Sequence, residues 1–185
     1  VADVFERMLM DVMGLVEVER GALDRLLVEL GRRGLAYDYK SIEAAGRQDL
    51  AVLYDRETTS LKLRPDLLEP YQTSEHLRAR TAAGKTAFPR PPLLAECEIL
   101  EEPRTQPTRF LMMVVHLKAF GDPESRARRE LAARILAEMI AAIRDEAELP
   151  VVLGGDFNDL LTSDSFRALR DAPDLFSMTL DDATG

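Results

Sequence analysis

The chain alternates between stretches of helical and of strand periodicity. Val1, Val4, Phe5 and Met8 fall at helical spacing, so residues 1–9 read as the tail of a helix. Val12-Met-Gly-Leu-Val16 is a short apolar run of the kind that buried strands carry. Ala22, Leu23, Leu26, Leu27 and Leu30 form an amphipathic stripe over residues 19–31, stopped by Gly31 and Gly34. Residues 50–54 and 58–63 read as a strand pair turning through Asp55 to Glu57. The stretch from His76 to Ala95 contains Gly84, Pro89, Pro91 and Pro92 and is expected to be mostly loop. Residues 93–100 and 110–115 read as two further strands. The longest helical pattern covers residues 123–146, with Leu131, Ile135, Leu136, Met139, Ile140 and Ile143 on one stripe. Val151 to Leu153 reads as a buried strand, and Ser163 to Arg170 as a short helix capped by its serine.

Strands and helices alternate, but hairpin-like pairs interrupt them. This predicts an α/β layered domain with a mixed sheet, not a doubly wound one. No internal repeat or low-complexity linker divides the chain, so residues 1–185 read as one domain. A chain of this length buries roughly 70% of its unfolded surface and needs no disulfide or metal staple. Composition then narrows the chemistry. Lys plus Arg number 24 against 33 Asp plus Glu, a net charge of −9, which excludes a whole-protein basic field for nucleic acid but not a local basic patch. A single cysteine, Cys97, excludes an internal disulfide framework and a multi-cysteine zinc site. His76 and His116 are the only histidines, which excludes His-rich dinuclear centres. Composition leaves open a carboxylate-built site for a hard cation such as magnesium. No apolar run approaches the length of about 18 residues that spans a membrane, and no signal peptide is visible. The chain starts at Val1 rather than at a methionine, which leaves a processed or truncated N-terminus, and with it localisation, open.

The segment richest in chemistry is Pro150-Val-Val-Leu-Gly-Gly-Asp-Phe-Asn158. A short apolar strand runs into two glycines that permit a tight turn. Asp156 and Asn158, one residue apart, share a side if the backbone stays extended. A carboxylate beside a carboxamide suits a metal-bound or hydrogen-bonded phosphoryl oxygen, and ligand sites of α/β sheets favour the carboxyl ends of strands. A polar turn after a buried strand, with Asp156 as a cap for the next segment, fits the same residues. His116 ends the apolar strand Phe110-Leu-Met-Met-Val-Val115, either as a structural histidine or as a second polar group at a strand end. Glu17 comes directly after the run Val12–Val16, with Glu19 on the same side. Such a carboxylate can ligate a divalent cation together with water and substrate phosphate, or it can be the acidic start of the next helix. Arg78, Arg80, Lys85 and Arg90 stand in a window, residues 76–95, that contains no acidic residue. They suit either a solvated loop or a phosphate. Arg90, fixed by Pro91 next to a strand start, is the better phosphate candidate. Cys97, Met112 and Met113 read as core.

These motifs resemble the endonuclease/exonuclease/phosphatase superfamily, whose fold is that of deoxyribonuclease I. Gly14-Leu-Val-Glu-Val-Glu19 is similar to its Gly-Leu-Gln-Glu-Val block, which places the metal-binding glutamate on Glu17. Asp49-Leu-Ala-Val-Leu-Tyr54 resembles the next strand of the family, and Arg90-Pro-Pro-Leu the Arg-x-Pro strand start. Val115-His-Leu-Lys118 matches the His-Leu-Lys block, and Gly155-Asp-Phe-Asn158 the Gly-Asp-Phe-Asn block. The resemblance implies a four-layer α/β/β/α sandwich with mixed sheets. It also implies hydrolysis of a phosphate ester with magnesium, or manganese in its place. Glu17 would hold the metal, Asp156 would orient the attacking water, and Asn158 and His116 would stabilise charge on phosphorus. Asp49 would hold the His116 ring.

The sequence also departs from the family pattern. Members begin with a strand carrying a metal-site Asn and end with an Asp-His pair, whereas this chain opens on the tail of a helix, stops at Asp182-Ala-Thr-Gly185 and contains no Asp-His pair. The expectation is a domain truncated at both ends. Val16 replaces the usual Gln, and Glu19 stands where the deoxyribonucleases place a phosphate-contacting Arg. The leading expectation is a magnesium-dependent phosphodiesterase or phosphatase acting on a phosphorylated substrate. A degenerate domain that binds a phosphorylated ligand or a protein partner without turnover is the alternative. An endo- or exonuclease is a third, disfavoured by the charge of −9 and by Glu19. Substrate identity and oligomeric state are not written in the sequence.

Overall fold

The computed structural model describes residues 2–42, 48–100 and 106–177. Two compact units divide the chain. The first comprises Val1–Leu67, Pro92–Val115 and Leu149–Gly155, the second Leu68–Pro91, His116–Glu148 and Asp156–Gly185.

The first unit opens with helix α1 (Ala2–Met8), strand β1 (Val12–Val18) and helix α2 (Arg20–Arg32). In α1 the buried side chains are Ala2 and Phe5, while Val4 and Met8 are more than half exposed. The expected stripe is therefore turned towards Phe5, and Val1 lies outside the described residues. Gly31 does not stop α2 but lies inside it. The helix ends on a Schellman arrangement, with Leu35 N–H donating to Leu30 O and Gly34 N–H to Gly31 O. Gly34 supplies the left-handed residue that this ending needs, at φ 80°.

Strand β2 (Tyr37–Ile42), to which the sequence pattern assigned no element, comes next, and then β3 (Asp49–Asp55). The three strands form an antiparallel sheet in the order β1-β3-β2. Because β3 is central, Leu50 to Tyr54 are all buried, and alternate side chains serve opposite faces. Leu53 packs with Phe5, Leu30 and Tyr37 under the two helices. Leu50 and Val52 pack with Leu93, Ala95, Cys97 and Val114 of the second sheet.

The expected hairpin of residues 50–54 and 58–63 does not form. Strand β4 (Thr59–Leu63) pairs with β5 (Leu93–Ile99), not with β3. Glu57 N–H donates to Asp55 Oδ1 at 2.8 Å, a side-chain turn that carries the chain from one sheet into the other. The second sheet has the order β4-β5-β6-β7, with β6 spanning Thr108–His116 and β7 Val151–Asp156. β4, β5 and β6 are antiparallel neighbours. Leu111 N–H reaches Pro150 O and Leu117 N–H reaches Asp156 O, so β6 and β7 advance together and the sheet is mixed as expected. β7 is an edge strand among the described ones, opposite β4, and is only half-buried, with Val152 43% exposed, which corrects the expectation of a buried strand. Cys97 is fully buried, and burial pushes its thiol up to about 12.

The second unit holds helix α4 (Pro123–Ala147), close to its expected span. Asp122 caps it by accepting from Ser125 N–H at 2.9 Å, and Pro123 opens it. Ile135, Leu136, Met139, Ile140 and Ile143 are buried as the stripe predicted. The short helix α3 (Pro65–Leu68) precedes the long loop, and a 3₁₀ turn (Asp164–Phe166) leads into α5 (Arg167–Arg170). Ser163 precedes that turn without capping it through its side chain. The acid-free loop is not wholly solvated, since Leu77, Ala79, Ala87 and Phe88 are buried, whereas Arg78, Arg80 and Lys85 are exposed. No helix among the described residues is long and apolar enough to cross a membrane.

Candidate active site

The carboxyl ends of β6 and β7 deliver His116 and Asp156 into the second unit, where Leu117 N–H donates to Asp156 O at 2.9 Å. Gly155 allows this pairing. Its φ is 132°, and a Cβ there would lie 2.0 Å from the Val115 carbonyl oxygen. The glycine thus serves close approach of two strands, while the tight turn expected from the Gly-Gly pair does not occur, since both glycines belong to β7.

The chain leaves the extended conformation after Asp156, and Asn158 adopts φ 57°. The expected same-side projection from an extended backbone is replaced by a side-chain turn in which Asn158 N–H donates to Asp156 Oδ1 at 2.8 Å. Asn tolerates this left-handed conformation better than most residues. Its Nδ2 donates to Leu117 O at 3.0 Å, which ties the Asp-Phe-Asn turn to the loop after His116.

His116 is 5% exposed. Its Nε2 stands 4.0 Å from Asp156 Oδ2, and its Nδ1 lies 3.2 Å from Arg90 Nη1. A guanidinium can only donate, so the second contact is a hydrogen bond only while Nδ1 keeps its lone pair. The ring proton is then on Nε2, on the side of Asp156. Arg90, His116, Asp156 and Asn158 therefore gather within one unit. Of the four cations in the loop, the structure brings Arg90 to this group. His76 is engaged elsewhere, 3.0 Å from Thr73 Oγ1 and edge-on to Tyr71.

Glu17 and Asp49 belong to the first unit and meet at one end of its sheet. Val18 pairs with Asp49, and the β1–β3 register shifts between Leu15 and Val18. Glu17 occupies this bulge at φ 56°, exposed, rather than simply continuing the strand. A non-glycine residue held there costs on the order of 1–3 kcal/mol, which the surrounding ladder must offset. The bulge re-aims the carboxylate out of the regular alternation. Glu17 also lines a cavity of about 640 Å³ walled by Phe5, Leu15, Leu23 and Leu26. Asp49 is buried and accepts from Arg20 Nε at 3.2 Å. Among the described residues no three His, Cys, Asp or Glu side chains gather into a metal cage. An oxygen donor such as Glu17 fits a hard cation that completes its shell with water and substrate oxygens, as magnesium does.

The sequence reading missed Arg129. This residue is 2% exposed, yet it belongs to the same face of α4 as Ala132, Ala133 and Leu136, a charge at a core position of the stripe. That break in the pattern was its available signal. Nη1 donates to Lys118 O at 2.8 Å and Phe120 O at 2.7 Å, and Nη2 to Asp159 Oδ2 at 3.0 Å. One guanidinium thus clamps the loops that come after His116 and Asp156. Burial opposes the charge on Asp159, but the Leu160 N–H and Arg129 outweigh it and hold the carboxyl below its usual range. A lowered carboxyl stabilises the fold above its unfolded pKa, and that contribution is lost as pH falls through the folded value.

The clamp makes an asymmetric prediction. Asp159→Ala leaves Arg129 buried without its counter-charge and should cost about 3 kcal/mol. Arg129→Met leaves a carboxylate whose side chain is 26% exposed and can recruit water, so it should cost less. Urea denaturation of both variants checks the order, and equal costs would contradict it.

A sequence model described as the Endonuclease/Exonuclease/phosphatase family matches residues 1–183, and the chain belongs to that family. Its fold is shown by solved structures. The human Nocturnin catalytic domain with bound sulfate aligns with a TM-score of 0.64 at 18% identity, covering 92% of this chain and 59% of that one. A mannosyl-6-phosphatase of Bacteroides thetaiotaomicron aligns at 0.59 and 18%, covering 90% and 58%. ANGEL2, described as a 2′,3′-cyclic phosphatase and solved with adenosine-2′,3′-vanadate, aligns at 0.54 and 16%, covering 89% and 44%. The chain thus spans between 44% and 59% of the length of these structures. No curated protein matches it closely enough in sequence to define a relative. The α/β sandwich of deoxyribonuclease I type expected from the sequence is the fold found.

Proposed function

We propose that the chain hydrolyses a phosphate ester with the help of magnesium, as a phosphodiesterase or phosphatase. The observation that carries this reading is the group Arg90, His116, Asp156 and Asn158, linked by contacts of 2.8 to 4.0 Å around the carboxyl ends of two neighbouring strands. Asp156 is the carboxylate that orients the attacking water and accepts its proton. One of its oxygens is held by Asn158 N–H, and the other lies on the His116 side. His116, Asn158 and Arg90 supply proton donors for the charge that gathers on the phosphoryl oxygens. These donors are fixed before substrate arrives, so little reorganisation is needed during reaction. Glu17 is the residue that would hold magnesium, which supplies Lewis-acid polarisation of a phosphoryl oxygen when bound. Manganese would serve the same donor.

The alternative reading is phosphoryl-ligand binding without turnover. Incubation with bis(p-nitrophenyl) phosphate and with simple phosphate monoesters separates the readings. Release of product that stops with a chelator and returns on adding magnesium is expected. Turnover indifferent to chelation would overturn the magnesium-dependent reading. Magnesium-dependent binding with no product would leave the binding domain.

A further inference from the structure

Four residues beyond His116, the loop presents Phe120 to solvent. The ring is 71% exposed, although its backbone is the opposite of free. Phe120 stands at φ 86°, a conformation that a bulky residue adopts at a cost on the order of 1–3 kcal/mol. Its carbonyl is held by Arg129 Nη1 at 2.7 Å, and the same nitrogen holds the Lys118 carbonyl at 2.8 Å. Lys118 Nζ lies 4.6 Å from the ring centroid, so a cation covers the ring. The fold thus maintains strain at this position, through a buried guanidinium, to display an aromatic ring that buries little of itself. The exposed cation–π contact returns only about 0.5–1 kcal/mol, whereas a polar residue or glycine would meet the same backbone at lower cost.

The arrangement fits a ligand, and its chemistry derives from the two groups displayed. An exposed aromatic side chain on a fixed backbone stacks on planar ring systems without regard to their hydrogen-bonding edges. Lys118 adds positive charge to the same small surface, in a protein whose net charge is −9. An anion that also carries a planar ring gains from both groups. The loop that bears them is stitched to the candidate catalytic turn through Asn158 Nδ2 to Leu117 O and through Arg129 to Asp159.

We propose that Phe120, with Lys118, is a substrate platform that selects phosphate esters bearing a planar aromatic group. This proposal rests on the phosphoester reading of the site for its phosphate, and it adds the class of organic group. Phe120 acts in binding and has no part in proton transfer or in the charge on phosphorus.

The test separates the platform from catalysis. The chain contains no tryptophan, so Phe120→Trp introduces a single tryptophan at the platform itself, excited at wavelengths the four tyrosines do not absorb. Titration with adenosine 5′-monophosphate and with phenyl phosphate is expected to quench its emission. Ribose 5-phosphate, which has the phosphate without a planar ring, should bind at least about tenfold more weakly. Calorimetry on the unaltered protein and on Phe120→Ala supplies the second arm. The alanine variant should lose about tenfold in affinity for both aromatic phosphates and bind ribose 5-phosphate as before. Equal affinity of the unaltered protein for ribose 5-phosphate and the aromatic esters would overturn the proposal, as would an unchanged affinity in Phe120→Ala. Neither arm needs turnover. Ring-selective binding without hydrolysis would sustain the platform while removing the hydrolase reading, and hydrolysis without ring selectivity would do the reverse.

Discussion

Asp156→Asn is expected to lower phosphoester turnover by about 10³-fold while leaving the fold intact. In the proposed reaction the two carboxylate oxygens have different jobs. Oδ1 accepts Asn158 N–H at 2.8 Å and so shapes the turn that carries Asn158. An amide oxygen can accept that bond as well as a carboxylate oxygen, although with less charge. Asp156→Asn therefore keeps the turn, the Asn158 bond to Leu117 O and the position of His116. What it removes is the ability to take a proton from water, because an amide does not do so near neutral pH. Asp156→Ala removes both jobs and should lose at least as much activity, with looser loops as well. Unfolding of Asp156→Asn should stay within about 0.5 kcal/mol of the unaltered protein. Turnover retained within tenfold in the Asn variant would place the proton acceptor elsewhere. A loss of activity matched by a loss of stability would make Asp156 a structural residue.

The same residues show how far the sequence could be read. Local signals were enough where a run of apolar positions ends on a polar group, because strand ends are set by the residues within them. β6 ending on His116 is of this kind, whereas β7 runs on through the two glycines that read as a turn and ends only at Asp156. Partner choice is not local. The turn Asp55-Arg-Glu57 has the composition of a hairpin turn, yet β3 lies between β1 and β2 while β4 joins β5. Nothing within the turn distinguishes a return to the same sheet from a crossing to another, since what decides it is the apolar area on both faces of β3. The bulge at Glu17 was invisible for a related reason, because a register shift is a property of two strands. Arg90 stands out in the sequence as a phosphate candidate from its charge and its place beside Pro91 at a strand start, and its contact with the His116 ring required the fold. Arg129 was legible in principle, as a charge among the alanines and leucines of α4. Its partners on two distant loops were not.

Gly155→Ala should be the most damaging glycine-to-alanine change among the described residues, and Gly154→Ala the control that shows why. The added Cβ at position 155 would sit 2.0 Å from the Val115 carbonyl oxygen and 2.9 Å from the Val115 carbon and nitrogen. All three obstacles are backbone atoms, so no side-chain rotation on either strand can relieve them. The φ of 132° is a second obstacle, because an L side chain rarely adopts it. The remaining relief is for β7 to draw away from β6. That movement breaks the ladder bonds at Leu111 and Leu117, of 2.8 and 2.9 Å, and carries Asp156 with it. Clash, strain and lost hydrogen bonds together place the cost beyond about 4 kcal/mol, a large share of the stability of an ordinary domain. At Gly154 a Cβ meets nothing within 4 Å, and its backbone needs no glycine, so alanine there should be neutral or stabilise by up to about 1 kcal/mol. Urea denaturation monitored by circular dichroism reads both. The expected result is a collapse of the midpoint, or of soluble yield, for Gly155→Ala alone. Equal midpoints would mean that β7 can shift freely against β6, and the fixed placement of Asp156 beside His116 would lose its physical basis.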